Sequence, residues 1–141
     1  MSTASALEAL VCFYETLSRD QVGRIRSLYA PEASFKDPFN AVVGVEAIER
    51  IFAHLFEQVD TPRFRVSGRF VNGDEAMLVW RMDWRGAGDD GGIDGVSRLR
   101  FDDAGQVVEH RDFWDPAESL YERVPVLGVL MRCIRRRLAA A

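Results

Sequence analysis

The hydrophobic positions of this chain change period once, and that change divides the fold. Between about residues 4 and 18, Leu7, Leu10, Val11, Tyr14 and Leu17 recur at helical spacing and predict an amphipathic helix. Val22, Ile25, Leu28 and Tyr29 predict a short second helix that stops near Pro31. Ala33 to Asp37 reads as a brief extended piece ended by Pro38, because the residue before a proline avoids helical backbone. Gly44 then precedes a third helix with Val45, Ile48, Ile51, Phe52, Leu55 and Phe56 on its inner face. Beyond it the period drops to two, and segments 64–71, 76–85, 93–101 and 107–114 predict four strands.

The links agree with this division. Asn72-Gly73-Asp74 and Asp102-Asp103-Ala104-Gly105 are short enough for antiparallel hairpins, and a Gly/Asp-rich run, 86–92, joins the middle strands. Asp115-Pro116-Ala117-Glu118 has the residues of a helix start, with Asp115 as the cap and Pro116 in the first turn. Past Pro125, Leu127, Leu130, Met131, Ile134 and Leu138 line one side of a last helix from about 126 to 139, while Arg132, Arg135 and Arg136 lie away from that stripe. Helices followed by a curled antiparallel sheet predict an α+β fold, with the N-terminal helices packed on one sheet face. Neither a repeat nor a linker divides residues 1–141, so a single domain is expected.

Charge changes this picture mainly at the end of the chain. The net charge of -4 leaves no footprint for nucleic acid. Residues 1–118 hold 21 acids against 13 bases, whereas residues 119–141 hold five arginines against Glu122 alone. A basic amphipathic helix suits peripheral contact with an anionic membrane or a cover over a pocket; packing on its own domain or a second subunit is the commoner use. Cys12 and Cys133 form neither a metal-ligand spacing nor a disulfide framework, which points to a reduced, cytoplasmic setting. No signal-like start is present, and no apolar run reaches the roughly 20 residues that span a bilayer.

Candidate chemistry gathers in His110-Arg111-Asp112-Phe113-Trp114-Asp115, where alternation puts His110, Asp112 and Trp114 on one face. Two strands earlier, Arg81 and Asp83 also share a face. If that face looks inward, two carboxylates and a guanidinium meet as an acid/base device, and the Trp80–Met82–Trp84 stripe lies outside, where it asks for a partner and implies a homodimer. If it looks outward, Arg81 and Asp83 are a surface ion pair worth about 0–1 kcal/mol. Asp37 is either a pocket group or a turn residue, and His110 either a proton shuttle or a wall residue. Glu109, His110, Asp112 and His54 do not converge on a metal, because alternation and the helix separate them. No metal or cofactor is expected.

Leu28-Tyr29-Ala30-Pro31-Glu32-Ala33, Asp37-Pro38-Phe39, Gly44, and Arg98 to Gly105 with Phe113-Trp114 are similar to the matching stretches of ketosteroid isomerases. With the helix-then-sheet order, the chain resembles the nuclear transport factor 2-like superfamily, which also includes the SnoaL-like polyketide cyclases. That resemblance covers roughly residues 7–127 and implies a cone-shaped fold with an apolar pocket between sheet and helices. Arg81-Met82-Asp83 and Arg111-Asp112-Phe113-Trp114-Asp115 look like the triad strands of limonene-epoxide hydrolases.

The two likenesses imply different reactions. The hydrolase likeness implies epoxide opening, with Asp112 as the base that activates water, Asp83 as the acid and Arg81 bridging them; its tyrosine and asparagine positions fall on Phe35 and Asp37. The isomerase likeness implies proton transfer with Asp37 as base. Its tyrosine position falls on Phe13 with Tyr14 beside it, and its aspartic acid position on Ser97. Epoxide hydrolysis of a small hydrophobic molecule is the leading expectation, served by Asp112, Asp83 and Arg81 with Asp37 and His110 as auxiliaries. Tyr14, Phe35, Phe39, Phe52, Phe56, Ser97, Leu99 and Trp114 would line the site. A proton-shifting isomerase or cyclase centred on Asp37, Asp112 and His110 is the alternative, and a non-catalytic binder of an apolar ligand is the third reading.

Overall fold

A computed structural model describes residues 1–88, 91–119 and 125–139. Helix α1 (Thr3–Glu15) starts where the Ser2 hydroxyl accepts from the Ser5 N–H at 3.1 Å. A 3-10 turn (Arg19–Arg24) and a single α-turn, α2 (Ile25–Leu28), lead into strand β1 (Tyr29–Lys36). Strand β2 (Ala41–Val43) and helix α3 (Val45–Gln58) follow. Then come β3 (Arg63–Asn72), β4 (Glu75–Asp83), β5 (Ile93–Phe101) and β6 (Val107–Trp114), and finally α4 (Pro116–Ser119) and α5 (Pro125–Leu138). Asp115 caps α4 as expected, its Oδ1 accepting from the Ala117 N–H at 2.9 Å.

The six strands form one curved, unclosed sheet in the order β2-β1-β6-β5-β4-β3. It is not wholly antiparallel: β1 and β6 pair in parallel, because the chain leaves β1, crosses through β2 and α3, and returns by the β3-to-β6 meander to the other edge of β1. Helix α1 packs on β3 and β4, and α3 on β1 and β2. Between helices and sheet sits the core, in which Leu7, Leu10, Phe13, Ile25, Tyr29, Ile48, Leu78, Leu99 and Val107 are fully buried. Gly73 turns the β3–β4 hairpin with φ 64°, a left-handed value that glycine takes without strain.

Burial along β4 decides the question that alternation left open. Ala76, Leu78, Trp80 and Met82 face the helices and are buried, so Arg81 and Asp83 lie on the outer face. Arg81 bonds Asp94 at 3.1 Å and Asp83 at 3.2 Å there, and Arg65 adds a 3.4 Å contact to Asp83. The physical reason is a matter of size. Burying a large apolar side chain stabilises by about 1.5–3 kcal/mol; enclosing an ion pair costs several kcal/mol per charge before its attraction repays anything. The expected Asp112–Arg81–Asp83 triad is therefore corrected, since Arg81 and Asp83 cannot meet Asp112 through the sheet. Trp80 and Met82 are interior and Trp84 packs partly buried against the core, which also removes the stripe on which the expected homodimer rested.

Register lines up three interior rows. Phe35, His110, Leu99 and Ala76 form the first; Asp112, Ser97 and Leu78 the second; Trp114, Gly95 and Trp80 the third. The Trp80 indole lies against the bare backbone of Gly95, where a β-carbon would come within 2.8 Å of its Cε2. Gly95→Ala should thus force the indole aside and destabilise the fold by about 1–3 kcal/mol, read as a lower urea midpoint. Gly68→Ala, whose added carbon meets nothing closer than 3.4 Å, should leave the midpoint nearer wild type.

Candidate active site

The second interior row holds a half-buried carboxylate, that of Asp112. Successive inward positions on β6 place His110 and Asp112 together, with His110 Nε2 2.6 Å from Asp112 Oδ1. Ser97, the cross-strand neighbour of Asp112 on β5, donates its hydroxyl to the same oxygen at 2.5 Å. Trp80 Nε1–H donates in turn to Ser97 Oγ at 2.9 Å. On the other side of the imidazole, Tyr29 OH lies 2.5 Å and Tyr14 OH 3.2 Å from His110 Nδ1, and the two phenols bond each other.

With a neutral imidazole these contacts accept a consistent proton assignment. If Nε2–H donates to the carboxylate, Nδ1 accepts from the Tyr29 hydroxyl, whose oxygen accepts from Tyr14. Donors then run inward from both ends, Trp80 to Ser97 to Asp112 and Tyr14 to Tyr29 to His110 to Asp112. Every buried polar side-chain atom among the described residues is satisfied. Both chains end on Oδ1. Oδ2 has no hydrogen-bond partner among the described residues, and the Asp112 side chain keeps 17% exposure while that of His110 keeps 2%. The result is a carboxylate pinned at one oxygen and open at the other.

The aromatic surroundings fix the imidazole. Phe35 lies 4.8 Å from it centre to centre, Tyr29 stacks at 5.9 Å, and Phe52 lies edge-on to Phe35. Phe35, Phe52 and Leu99 are therefore core around the site, as is Tyr14, which reaches the centre in place of the matched position at Phe13. Trp114 is half-buried beyond Asp112 and meets Phe39 edge-on at 5.5 Å. Phe39 is itself 54% exposed, so it belongs to the rim. Phe56 is partly buried and packs against the core, without an observed contact to His110 or Asp112.

Asp37 is corrected to a turn residue. Its Oδ1 accepts from the N–H groups of Phe39 at 2.8 Å and Asn40 at 2.6 Å, and the Asn40 amide spans both carboxylate oxygens at 3.1 Å. Those bonds hold the Pro38-centred loop between β1 and β2 and occupy the carboxylate. Tyr29 was missed because its helical spacing to Ile25 and Leu28 hid it. The available signal was Pro31, which forces extended backbone nearby; β1 begins at Tyr29 and is irregular between Tyr29 and Ser34. Trp80 was read for bulk alone, although a buried indole N–H needs an acceptor.

A groove of about 490 Å³ lies across the sheet, lined mainly by outward-facing side chains including Ser34, Lys36, Val43, Arg98, Arg100 and Arg111. Asp112 does not line it. No helix among the described residues is long and apolar enough to cross a membrane.

Helices on the inner side of a curved open sheet make this a nuclear transport factor 2-like fold. The model of the SnoaL-like domain matches residues 11–110, most of the chain, and the chain belongs to that family. The matched region includes Tyr14, Tyr29, Ser97 and His110 and stops two residues short of Asp112. No curated protein matches the sequence significantly. Among solved structures, an NTF2-like protein of unknown function from Cytophaga hutchinsonii superposes with TM-score 0.65 at 13% identity, over 82% of this chain and 92% of that one. A candidate SnoaL-like polyketide cyclase from Jannaschia superposes with TM-score 0.61 at 23% identity, over 80% and 85%. A candidate ketosteroid isomerase from Kribbella flavida gives 0.62 at 17%, over 80% and 77%. At these identities the likeness establishes the fold.

Burial above all pushes the phenol pKa values of Tyr14 and Tyr29 up from the ordinary 10.0, and the Asp112 charge pushes the same way. Above that pH the folded protein holds phenol protons that the unfolded chain releases. This stabilisation is complete below about pH 10 and is lost as pH rises past it, by about 1.4 kcal/mol per pH unit for each phenol. Urea unfolding at increasing alkalinity should show that fall, and Tyr14→Phe should remove about half of the slope.

Proposed function

We propose that this protein is an acid/base enzyme that moves a proton on a small hydrophobic carbonyl compound, with Asp112 as the base. The observation that carries the reading is the fixed Oδ1 and open Oδ2 of a carboxylate beside a buried imidazole. An immobile base with one free lone-pair edge can take a proton from carbon without reorganising, and positioned proton transfer of this kind contributes about 10²–10⁴-fold. His110, with the tyrosines behind it, would share the charge change as Asp112 gains and returns the proton.

Geometry favours this over epoxide opening. That reaction needs a second acid and a bridging arginine next to Asp112, and both candidates lie on the opposite face. The choice within proton transfer is narrower still. Ser97, at the matched aspartic acid position, and Tyr14, beside the matched tyrosine position, are turned inward to Asp112 and His110. A substrate that spreads its own enolate charge, such as a 1,3-dicarbonyl, depends less on an oxyanion site than a simple ketone does. That chemistry agrees with the name of the candidate cyclase among the structural neighbours.

The test follows solvent deuterium entering the α-carbon of a series of hydrophobic ketones and β-keto esters by NMR, each compared with its uncatalysed rate. Wild type should accelerate exchange most on the β-keto esters. Asp112→Asn should lose about 10²–10⁴-fold, while Arg81→Ala on the outer face should change little. Exchange that survives Asp112→Asn removes the aspartate from the mechanism. Binding without exchange, seen as quenching of tryptophan fluorescence, returns the protein to the class of ligand carriers.

A further inference from the structure

The end of the chain carries a feature that the Asp112 site does not use. Helix α5 leaves Val126, Val129, Leu130, Ile134 and Leu138 exposed by 85%, 52%, 53%, 43% and 81%. Val126, Leu130 and Ile134 recur every fourth residue and so share one side, with Arg137 three residues beyond Ile134 on the same side and Arg136 two turns along from Val129. The helix has an inner side as well, where Gly128 is buried and Leu127 and Met131 are half-buried. Among the described residues no element packs extensively on it. The uncovered apolar side is unlike the interior stripes of α1 and α3.

We propose that α5 seats on the surface of an anionic lipid bilayer, with Val126, Leu130 and Ile134 entering the boundary between headgroups and acyl chains. Charge selects this occupant. Residues 125–139 contain four arginines and no acid, whereas residues 1–118 carry a net charge of -8. An anionic surface attracts the helix and repels the remainder, which confines contact to α5. A parallel pairing of two α5 helices would set their arginine clusters, all in the second half of the helix, against each other. Arginine stems are long enough to lie beside the apolar side chains while the guanidinium reaches lipid phosphate. A helix of this kind binds through apolar area and electrostatic attraction together. The inference stands apart from the proposed reaction, although an apolar substrate dissolved in the bilayer would be within reach of a protein held there.

Flotation of the full chain with vesicles tests it without any activity measurement. The protein should rise with mixed phosphatidylglycerol–phosphatidylcholine vesicles, stay behind with phosphatidylcholine alone, and be released by salt. Arg136→Ala and Arg137→Ala should each weaken binding about fivefold. Ile134→Asp should abolish it with an unchanged circular dichroism spectrum. Equal binding to neutral vesicles, or none to either kind, overturns the proposal. So does gel filtration in which Ile134→Asp splits a dimer, because the exposed side would then belong to a second copy.

Discussion

Trp80 facing inward is the constraint from which the site follows. Once the indole is buried its N–H needs an acceptor, and the Ser97 hydroxyl across the strand supplies one. That bond fixes the hydroxyl rotor, so its proton has one good direction, toward Asp112 Oδ1. Room for the indole comes from Gly95, directly opposite in the register. A packing decision on β4 thus orients a carboxylate on β6 through two hydrogen bonds. The same decision turns Arg81 and Asp83 outward, so it assembles one candidate site and dismantles the other.

How much of this was legible depends on how local the signal is. The strands carrying Ser97, His110 and Asp112 were readable because β5, and β6 from His110 onward, alternate between clear turns, and the observed spans, Ile93–Phe101 and Val107–Trp114, match the pattern. The β4 strand was readable as a strand but not as a face. Its outer positions include Met77 and Val79 and its inner ones a polar indole, so polarity alone divides the two sides weakly. The motif likeness favoured charges inward, and the larger volume of Trp80 and Met82 overruled it. Tyr29 could not be placed from periodicity, because α2 ends in one turn and the next strand begins immediately. Pairing between β1 and β6 joins segments some eighty residues apart, and no local pattern encodes their parallel register.

Asp37 shows the same limit in chemical form. A carboxylate before proline in a loop is equally suited to catalysis and to closing a turn, and the sequence spacing is identical in both cases. Its four close donor contacts decide for the turn. Asp112 differs in one respect that no sequence displays: its donors all converge on one oxygen. A structural carboxylate is usually satisfied at both oxygens, as that of the half-buried Asp37 is. Leaving one edge open at a partly exposed position stores acceptor capacity that only a ligand or water can use.

The two tyrosines sharpen that contrast. A histidine held by Asp112 alone would be oriented, yet its second nitrogen would be buried without a partner, at a cost of about 1–3 kcal/mol. Tyr29 supplies that partner, and Tyr14 supplies one for Tyr29, at the expense of keeping both phenols away from any ligand. In a steroid-isomerase arrangement a tyrosine faces the substrate oxygen; here one phenol proton is committed to the imidazole and the other to the neighbouring phenol. In the proposed reaction, the polar groups around Asp112 would act upon the base and leave the developing oxyanion largely to the substrate. Such a division of labour suits carbon acids that are already activated, and it explains how a chain lacking the expected oxyanion donors can retain a well-ordered carboxylate.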